Sequence, residues 1–204
     1  MIGVIDVGLS NVGSVLNMFK YVGHEAVGVC DESMLDMCSK LVLPGVGSFD
    51  AGIEQLQKSG LVDILSKKVL EDRIPVLGIC LGMQLMCAKS EEGVLPGLGW
   101  VDAVVKDFKG APDSPAKTPH MGWNTVEVKK SSYWTAGLVA DSRFYFVHSY
   151  FVDCKQPADV MLTTKYGFEF ASAFQVNNII GMQFHPEKSH VFGAEILKKF
   201  GDFR

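Results

Sequence analysis

Cys80 lies between Gly78 and Gly82, directly after a short apolar run from Val76 to Ile79 that follows Pro75. A run of this kind after a proline reads as a buried strand, and a helical pattern opens behind it. Gly-x-Cys-x-Gly at a strand-to-helix junction is a nucleophile elbow with cysteine in place of serine. The chemistry it offers is attack on an acyl carbon. The neighbouring glycines let strand and helix approach, and the helix start presents N–H groups that favour a thiolate and a developing oxyanion. The same pattern also suits a buried cysteine in a tight turn.

A cysteine nucleophile needs a base, and the base needs an orienting group. Of the five histidines, His185 comes with an orienter nearby, in Gln183-Phe-His-Pro-Glu-Lys-Ser189. Pro186 biases His185 to an extended backbone, and in extended chain the side chains of i and i+2 share a side. Glu187 is therefore expected to reach the imidazole, fix its tautomer and stabilise imidazolium. A strand-end histidine beside a solvated glutamate is the competing reading. For the oxyanion, the N–H of Leu81 follows from the elbow. A second donor is expected from the Gly45-Val46-Gly47 turn, where flanking glycines let a peptide reorient. That segment also reads as an ordinary strand-to-helix turn.

These residues must be carried by alternating strands and helices. Ile2–Val7, Ala26–Cys30, Leu41–Leu43 and the Val76 run read as strands. Val12, Val15, Leu16 and Phe19 recur at helical spacing, with Asn11 as N-cap and Gly23 as stop. Further helices are marked by Phe49, Ile53 and Leu56, stopped near Gly60, and by Leu61, Ile64, Leu65 and Val69. Leu81, Leu85 and Ala88 mark the one behind Cys80. Alternation implies a parallel sheet covered on both faces, with ligands at the carboxyl ends of the strands. The Asp6–Gly13 turn is glycine-bearing, but it is not G-x-G-x-x-G and no Walker lysine follows. From Gly93 onwards the texture becomes β-rich: Val101–Phe108, a loop with Pro112, Pro115 and Pro119, then Trp123–Val128, Phe144–Val147, Val160–Thr164, Phe170–Phe174 and Ile179–Phe184. A last helix carries Gly193, Ile196, Leu197 and Phe200. Residues 1–204 read as a single domain.

Composition narrows the class. Hydrophobic residues make up 48% and charged residues 21%, with a net charge of −4 from 19 basic and 23 acidic side chains. No basic run exceeds pairs such as Lys67-Lys68 and Lys198-Lys199, so no nucleic-acid footprint is expected. Apolar runs are too short for a membrane span. The start shows no basic leader or cleavage site, and a cytoplasmic protein is expected. Five cysteines without a CxxC pair argue for reduced thiols, against both a disulfide framework and structural zinc.

Gly78-Ile-Cys-Leu-Gly-Met-Gln84 together with Phe184-His-Pro-Glu187 resembles the class I, triad-type, glutamine amidotransferases. Pro44-Gly-Val-Gly47, Pro119-His-Met-Gly-Trp-Asn124, Tyr145-Phe-Val-His-Ser-Tyr150 and His185-Pro-Glu-Lys-Ser189 narrow the resemblance to its HisH-type branch, the glutaminase subunits of imidazole glycerol phosphate synthase. The resemblance runs from residue 2 to about 200. It implies a three-layer α/β fold with a largely parallel central sheet, helices on both faces and a smaller antiparallel β region in the second half. It implies a triad of Cys80, His185 and Glu187 that hydrolyses L-glutamine through a thioester. Gln84, His148, Ser149 and Tyr150 match positions that hold the glutamine. Leu81 and Gly45-Val46-Gly47 match the oxyanion donors, and Met121, Trp123 and Lys188 match the partner face. The implied partner is a HisF-type (β/α)8 synthase in a 1:1 heterodimer that receives ammonia through a channel and serves histidine biosynthesis, and no metal or organic cofactor is implied. Val7 and Ser10 stand where this branch usually has Tyr and Gly. Lys188–Gly193 and Ser48–Gly52 resemble a branch that supplies ammonia for amidation of a surface-polysaccharide sugar. A stand-alone cysteine hydrolase or peptidase is the alternative from another class, and it would need no partner face.

Overall fold

The structure, a computed structural model, describes residues 1–8, 10–111, 113–114 and 117–203. Leu9 of the first turn and Pro112 and Pro115 of the expected loop lie outside them. The chain alternates strand and helix as expected, with the first strand ending at Ile5 rather than Val7 and with a short second helix that was not expected: β1 (Ile2–Ile5), α1 (Val12–Tyr21), β2 (Ala26–Val29), α2 (Glu32–Asp36), β3 (Lys40–Gly45), α3 (Phe49–Ser59), α4 (Val62–Leu70) and β4 (Val76–Cys80). Local chemistry sets several boundaries. The Asn11 side chain caps α1 by accepting from the Ser14 N–H at 3.3 Å. Gly60, at φ 72°, ends α3 in the left-handed conformation that glycine adopts without strain.

Behind Cys80 the expected helix is cut short. α5 spans only Leu81–Leu85, and Ala88 belongs instead to β5 (Cys87–Ser90). The cause is competition for carbonyls. The N–H groups of Leu98 and Trp100 take the oxygens of Leu85 and Met86 at 2.8 and 2.9 Å, and that of Gly97 takes Ala88's at 2.9 Å. A longer helix would need those acceptors.

The second half adds β6 (Val101–Asp107), β7 (His120–Thr125), β8 (Glu127–Val128), β9 (Arg143–His148), β10 (Tyr150–Cys154), β11 (Val160–Tyr166), β12 (Phe168–Val176), β13 (Ile179–Met182) and α6 (His190–Asp202). The expected single strand Trp123–Val128 is two strands. β7 pairs with β9 in a separate antiparallel ribbon, while β8 crosses over to pair with β11.

The main sheet has 11 strands along β2-β1-β3-β4-β13-β12-β10-β6-β5, with β11 and β8 branching from β12. Pairing from β2 to β13 is parallel, the β13–β12, β12–β10 and β10–β6 pairings are antiparallel, and β6 pairs with β5 in parallel. The antiparallel region therefore continues the parallel sheet. In β3, Leu41 and Leu43 pack into one core with Phe49, Ile53, Leu56 and Leu65 of α3 and α4. Val42 points to the other core, with Phe19 of α1 and Leu197 and Phe200 of α6. This period of two makes three layers from the pleat of the strands. Among the described residues, no helix is long and apolar enough to cross a membrane.

Candidate active site

β3, β4 and β13 are adjacent parallel strands, and their carboxyl ends carry most of the site. Gly45 is registered against Cys80, and Met182 against Ile79. Cys80 is buried and sits at φ 54° and ψ −110°, a backbone strain of about 1–3 kcal/mol that a packed surrounding must hold. Gly82 shows why the turn needs a residue without a side chain, since a Cβ there would collide with the Leu43 carbonyl. At Gly45, a Cβ would come within 2.9 Å of the Gly82 nitrogen. The elbow is thus a three-way backbone contact between β3, β4 and α5. As the first residue of α5, Leu81 has an N–H with no carbonyl of its own helix to bond. Val46 and Gly47 lie just past β3 and are exposed, Gly47 at φ 105°.

Chain direction after β13 brings His185 to the cavity that Cys80 lines. His185 is buried and extended, at φ −98° and ψ 94°, as a residue before proline prefers. Its Nδ1 lies 2.8 Å from Glu187 Oε1, with only 2% and 7% of the two side chains exposed. The local geometry differs from the expected extended pair. Pro186–Lys188 form a 3-10 turn, in which the Lys188 N–H bonds the His185 carbonyl at 3.0 Å and Ser189 Oγ donates to the same oxygen at 2.6 Å. Glu187 reaches the ring through this turn, not through strand alternation. His185 Nε2 is buried without a hydrogen-bond partner among the described residues, the loose geometry that nucleophile–base pairs show before substrate binds. Burial opposes a charge on His185, but the Cys80 sulfur and the Glu187 carboxylate outweigh it and raise the imidazole's pKa to about 9.

Cys80 and His185 open onto a cavity of ≈ 430 Å³ walled by Val46, Gly47, Leu81 and Gln84 on one side and Val147–Tyr150 on the other. Gln84, His148, Ser149 and Tyr150 therefore meet at one hollow. Gln84 is already committed: its Nε2 donates to the Tyr150 carbonyl at 3.2 Å and to Gln183 Oε1 at 3.0 Å. That leaves the carbonyl end of Gln84 as the part free for a ligand. Gln183 is fully buried and donates from Nε2 to Cys80 Sγ at 3.7 Å, a role the sequence reading did not assign. Its signal is position, in the same motif and two residues before His185. Glu92 also lines the cavity, unforeseen, while its Oε2 accepts from the Phe49 N–H at 2.9 Å. Burial raises the Glu92 pKa, opposed by that N–H and aided by Asp50.

Met121 and Trp123 stand on the outer side of the ribbon, 61% and 47% exposed, and Lys188 is exposed on the turn beside them. Trp123 stacks on His190 with ring centroids 5.2 Å apart and meets Tyr145 edge-on at 6.1 Å. Val46, 49% exposed, adds another large apolar side chain beside the cavity mouth. Among the described residues, no group of three or more His, Cys, Asp or Glu side chains is placed to hold a metal ion.

Comparison with known proteins agrees with this geometry. The family model for glutamine amidotransferase class-I matches residues 3–202. The imidazole glycerol phosphate synthase subunit HisH 2 of Methanococcus maripaludis is 48% identical over 200 residues, spanning 98% of each chain. Its namesake from Pseudomonas aeruginosa is also 48% identical over the same span. The HisH subunit of Bdellovibrio bacteriovorus is 44% identical over 203 residues, covering 99% of this chain and all of its own. Among solved structures, a glutamine amidotransferase superposes with a TM-score of 0.75 at 19% identity over 98% of both chains. PurLQS of Thermotoga maritima gives 0.70 at 18%, over 98% of this chain and 94% of its own. At such identities the superpositions speak for the fold alone. The sequence matches go further: this chain belongs to the class I glutamine amidotransferases and, within them, to the family of HisH subunits of imidazole glycerol phosphate synthase.

Proposed function

We propose that the chain is the glutaminase subunit of an imidazole glycerol phosphate synthase, hydrolysing L-glutamine to glutamate and ammonia with Cys80, His185 and Glu187 as its triad. The observation that carries this reading is the buried His185–Glu187 pair beside the strained Cys80, all at one cavity. His185 Nε2 takes the Cys80 proton, and the thiolate attacks the side-chain amide carbon of glutamine. The oxyanion is held by the Leu81 N–H and by a peptide of Gly45–Gly47. Imidazolium then protonates the leaving nitrogen, the C–N bond breaks, and ammonia departs from a glutamyl thioester. His185 next takes a proton from water, hydroxide displaces the sulfur, and glutamate and the thiolate are released. Glu187 keeps Nδ1 protonated and supports the cation throughout. Gln183 offers its N–H to the sulfur when it is anionic. Gln84, Glu92 and the backbone of His148–Tyr150 hold the glutamine, with Gln84 Oε1 and the Glu92 carboxylate suited to its ammonium group.

The ammonia passes to a HisF-type (β/α)8 subunit docked on Met121, Trp123 and Lys188 in a 1:1 heterodimer. There it enters the synthesis of imidazole glycerol phosphate and aminoimidazole carboxamide ribotide for histidine. The channel matters physically, because free ammonia is protonated and diluted in water. Unbridged cysteines suit the reducing cytoplasm as the compartment. A second reading draws on Lys188–Gly193 and Ser48–Gly52, which resemble a branch serving surface-polysaccharide synthesis. In it, the same glutaminase feeds amidation of a surface-polysaccharide sugar. The test is reconstitution with a HisF-type barrel subunit, assaying glutamine-dependent formation of imidazole glycerol phosphate. Product that disappears in Cys80→Ala but persists with ammonium salts supports the histidine reading. Glutamine turnover without that product transfers the assignment to the second reading, and strong turnover by the isolated chain overturns the subunit reading.

A further inference from the structure

One buried polar group is not used by the triad. His120 Nδ1 lies 2.9 Å from His148 Nε2, Asn124 Nδ2 lies 3.1 Å from His120 Nε2, and His148 Nδ1 lies 2.7 Å from the Tyr150 carbonyl. The protons in this series are fixed by its ends. A carbonyl only accepts, so His148 carries its proton on Nδ1. Burial pushes the His148 pKa down to about 3, with the Tyr150 carbonyl opposing and His120 and His185 assisting, and burial pushes His120 down to about 4. Both rings are therefore neutral near pH 7, and His148 Nε2 accepts. His120 must then carry its proton on Nδ1 and accept at Nε2, which requires a donor from Asn124. The other end agrees, because Asn124 Nδ2 also donates to the Lys165 carbonyl at 3.1 Å. Neither amide nor ring has an alternative orientation that satisfies both carbonyls.

Packing locks the rings in these poses. His120 is sandwiched between Phe146 and Tyr166, at centroid distances of 4.6 and 4.1 Å and interplanar angles of 25° and 24°. His148 is held against Phe108 and Phe170 at 5.3 and 5.4 Å. The Tyr150 oxygen, bonded by His148 and by Gln84, has both lone pairs taken. We propose that Asn124, His120 and His148 form a one-way hydrogen-bond relay that positions the Tyr150 peptide in the wall of the glutamine cavity. Its starting residue lies on the same strand as Met121 and Trp123, so the relay also runs from the partner-facing ribbon to the substrate wall. Asn124 and His120 are positioning residues in this scheme. The scheme rests on the cavity being the glutamine site.

Two substitutions of the half-buried Asn124 separate polarity from packing. Asn124→Asp keeps the shape but sets an acceptor against His120 Nε2, forcing that ring to its other tautomer and withdrawing its proton from His148. Asn124→Ala removes the donor and some volume but leaves His120 Nε2 free to accept from water. The expected result is a KM for glutamine raised about tenfold in Asn124→Asp, the loss of one hydrogen bond's effect, with kcat changed less, and a smaller rise in Asn124→Ala. Equal effects, or a larger loss in Asn124→Ala, overturn the relay in favour of packing. A readout independent of activity is ¹⁵N imidazole NMR of the wild-type chain. Both His120 and His148 should be neutral Nδ1–H tautomers at pH 7, and an Nε2–H form of either ring overturns the proposal. Wild-type chain that shows these tautomers but no glutamine turnover with its barrel subunit would instead sink the functional reading.

Discussion

Replacing Glu187 by Gln isolates the charge of the proposed triad from its shape. The amide oxygen can still accept from His185 Nδ1 at the 2.8 Å separation the carboxylate occupies, so ring orientation should survive. What disappears is the anion supporting imidazolium. The rise of His185 from 6.5 to about 9 corresponds to roughly 3 kcal/mol in favour of the charged ring, net of burial that opposes it. Cys80 and Glu187 share the raising effect. A charge-assisted hydrogen bond between groups this buried contributes about 1.5–3 kcal/mol, so Glu187→Gln should lower the imidazole by roughly one to two pKa units. In the proposed mechanism ammonia expulsion needs His185 protonated, which would place the alkaline limb of wild-type turnover near pH 9. In Glu187→Gln that limb should move to roughly pH 7–8, and kcat should fall by about ten- to a hundredfold. The assay is the pH dependence of kcat/KM for glutamine in the reconstituted complex, paired with iodoacetamide labelling of Cys80 in the isolated chain. An alkaline limb that stays put in both measurements would refute the assigned role of Glu187. Stability carries the same signature. A group whose folded pKa is raised stabilises fully below its unfolded value, here 6.5, and loses that contribution as pH climbs through about 9. Wild type should therefore weaken over this window more than Glu187→Gln does.

His120 and His148 have the opposite sign: both are buried neutral, so their contribution is intact above pH 6.5 and is lost as pH falls toward about 4 and about 3. Each should cost up to about 2 kcal/mol by pH 5, visible as a falling melting temperature between pH 7 and 5, whereas a flat profile would mean that the rings are not held neutral. Gly82→Ala drives a Cβ into the Leu43 carbonyl and should destabilise by more than about 3 kcal/mol; urea unfolding of the variant reads this directly. Trp123→Ala, at an exposed position whose ring rests on His190 and Tyr145, should leave the fold intact and weaken barrel binding by at least about tenfold. Calorimetric titration checks it, and unchanged affinity would remove Trp123 from the partner face.

How much of this was legible in advance depended on the range of the forces involved. The elbow could be read because a glycine–cysteine–glycine pattern at a strand end leaves the backbone few alternatives. The Asn11 cap and the Gly60 stop were equally local. The length of α5 was not, because Leu81, Leu85 and Ala88 do have helical spacing. What ends the helix is Gly97–Trp100 arriving from elsewhere to claim its carbonyls. Val126, where the chain leaves the ribbon for the main sheet, is likewise decided by which strand each neighbour finds. The His120–His148 contact joins residues 28 apart in sequence, and neither motif announces the other. Gln183 was visible in the motif, but its task emerges only when Gln84 turns out to occupy its oxygen.

The fold explains why the chemistry divides as it does. Cys80, Gly45 and the approach to His185 hang from three neighbouring parallel strands, with Leu43 paired to Gly78 and Gly181 paired to Gly78 from the other side. Such pairing fixes their spacing at about 4.8 Å per strand, and the strain at Cys80 is borne by that network. Val46 and Gly47 extend beyond the last pair of β3, exposed, with glycine on either side of Val46. The proposed nucleophile and base are thereby set by the sheet, whereas the peptide proposed as the second oxyanion donor lies outside its ladder. It borders the same cavity as Cys80 and His185. Under the proposed function a glutaminase whose product must not escape would gain from that arrangement, since only the proposed oxyanion donor would have to wait for the partner and the strained Cys80 need not be rebuilt in each cycle.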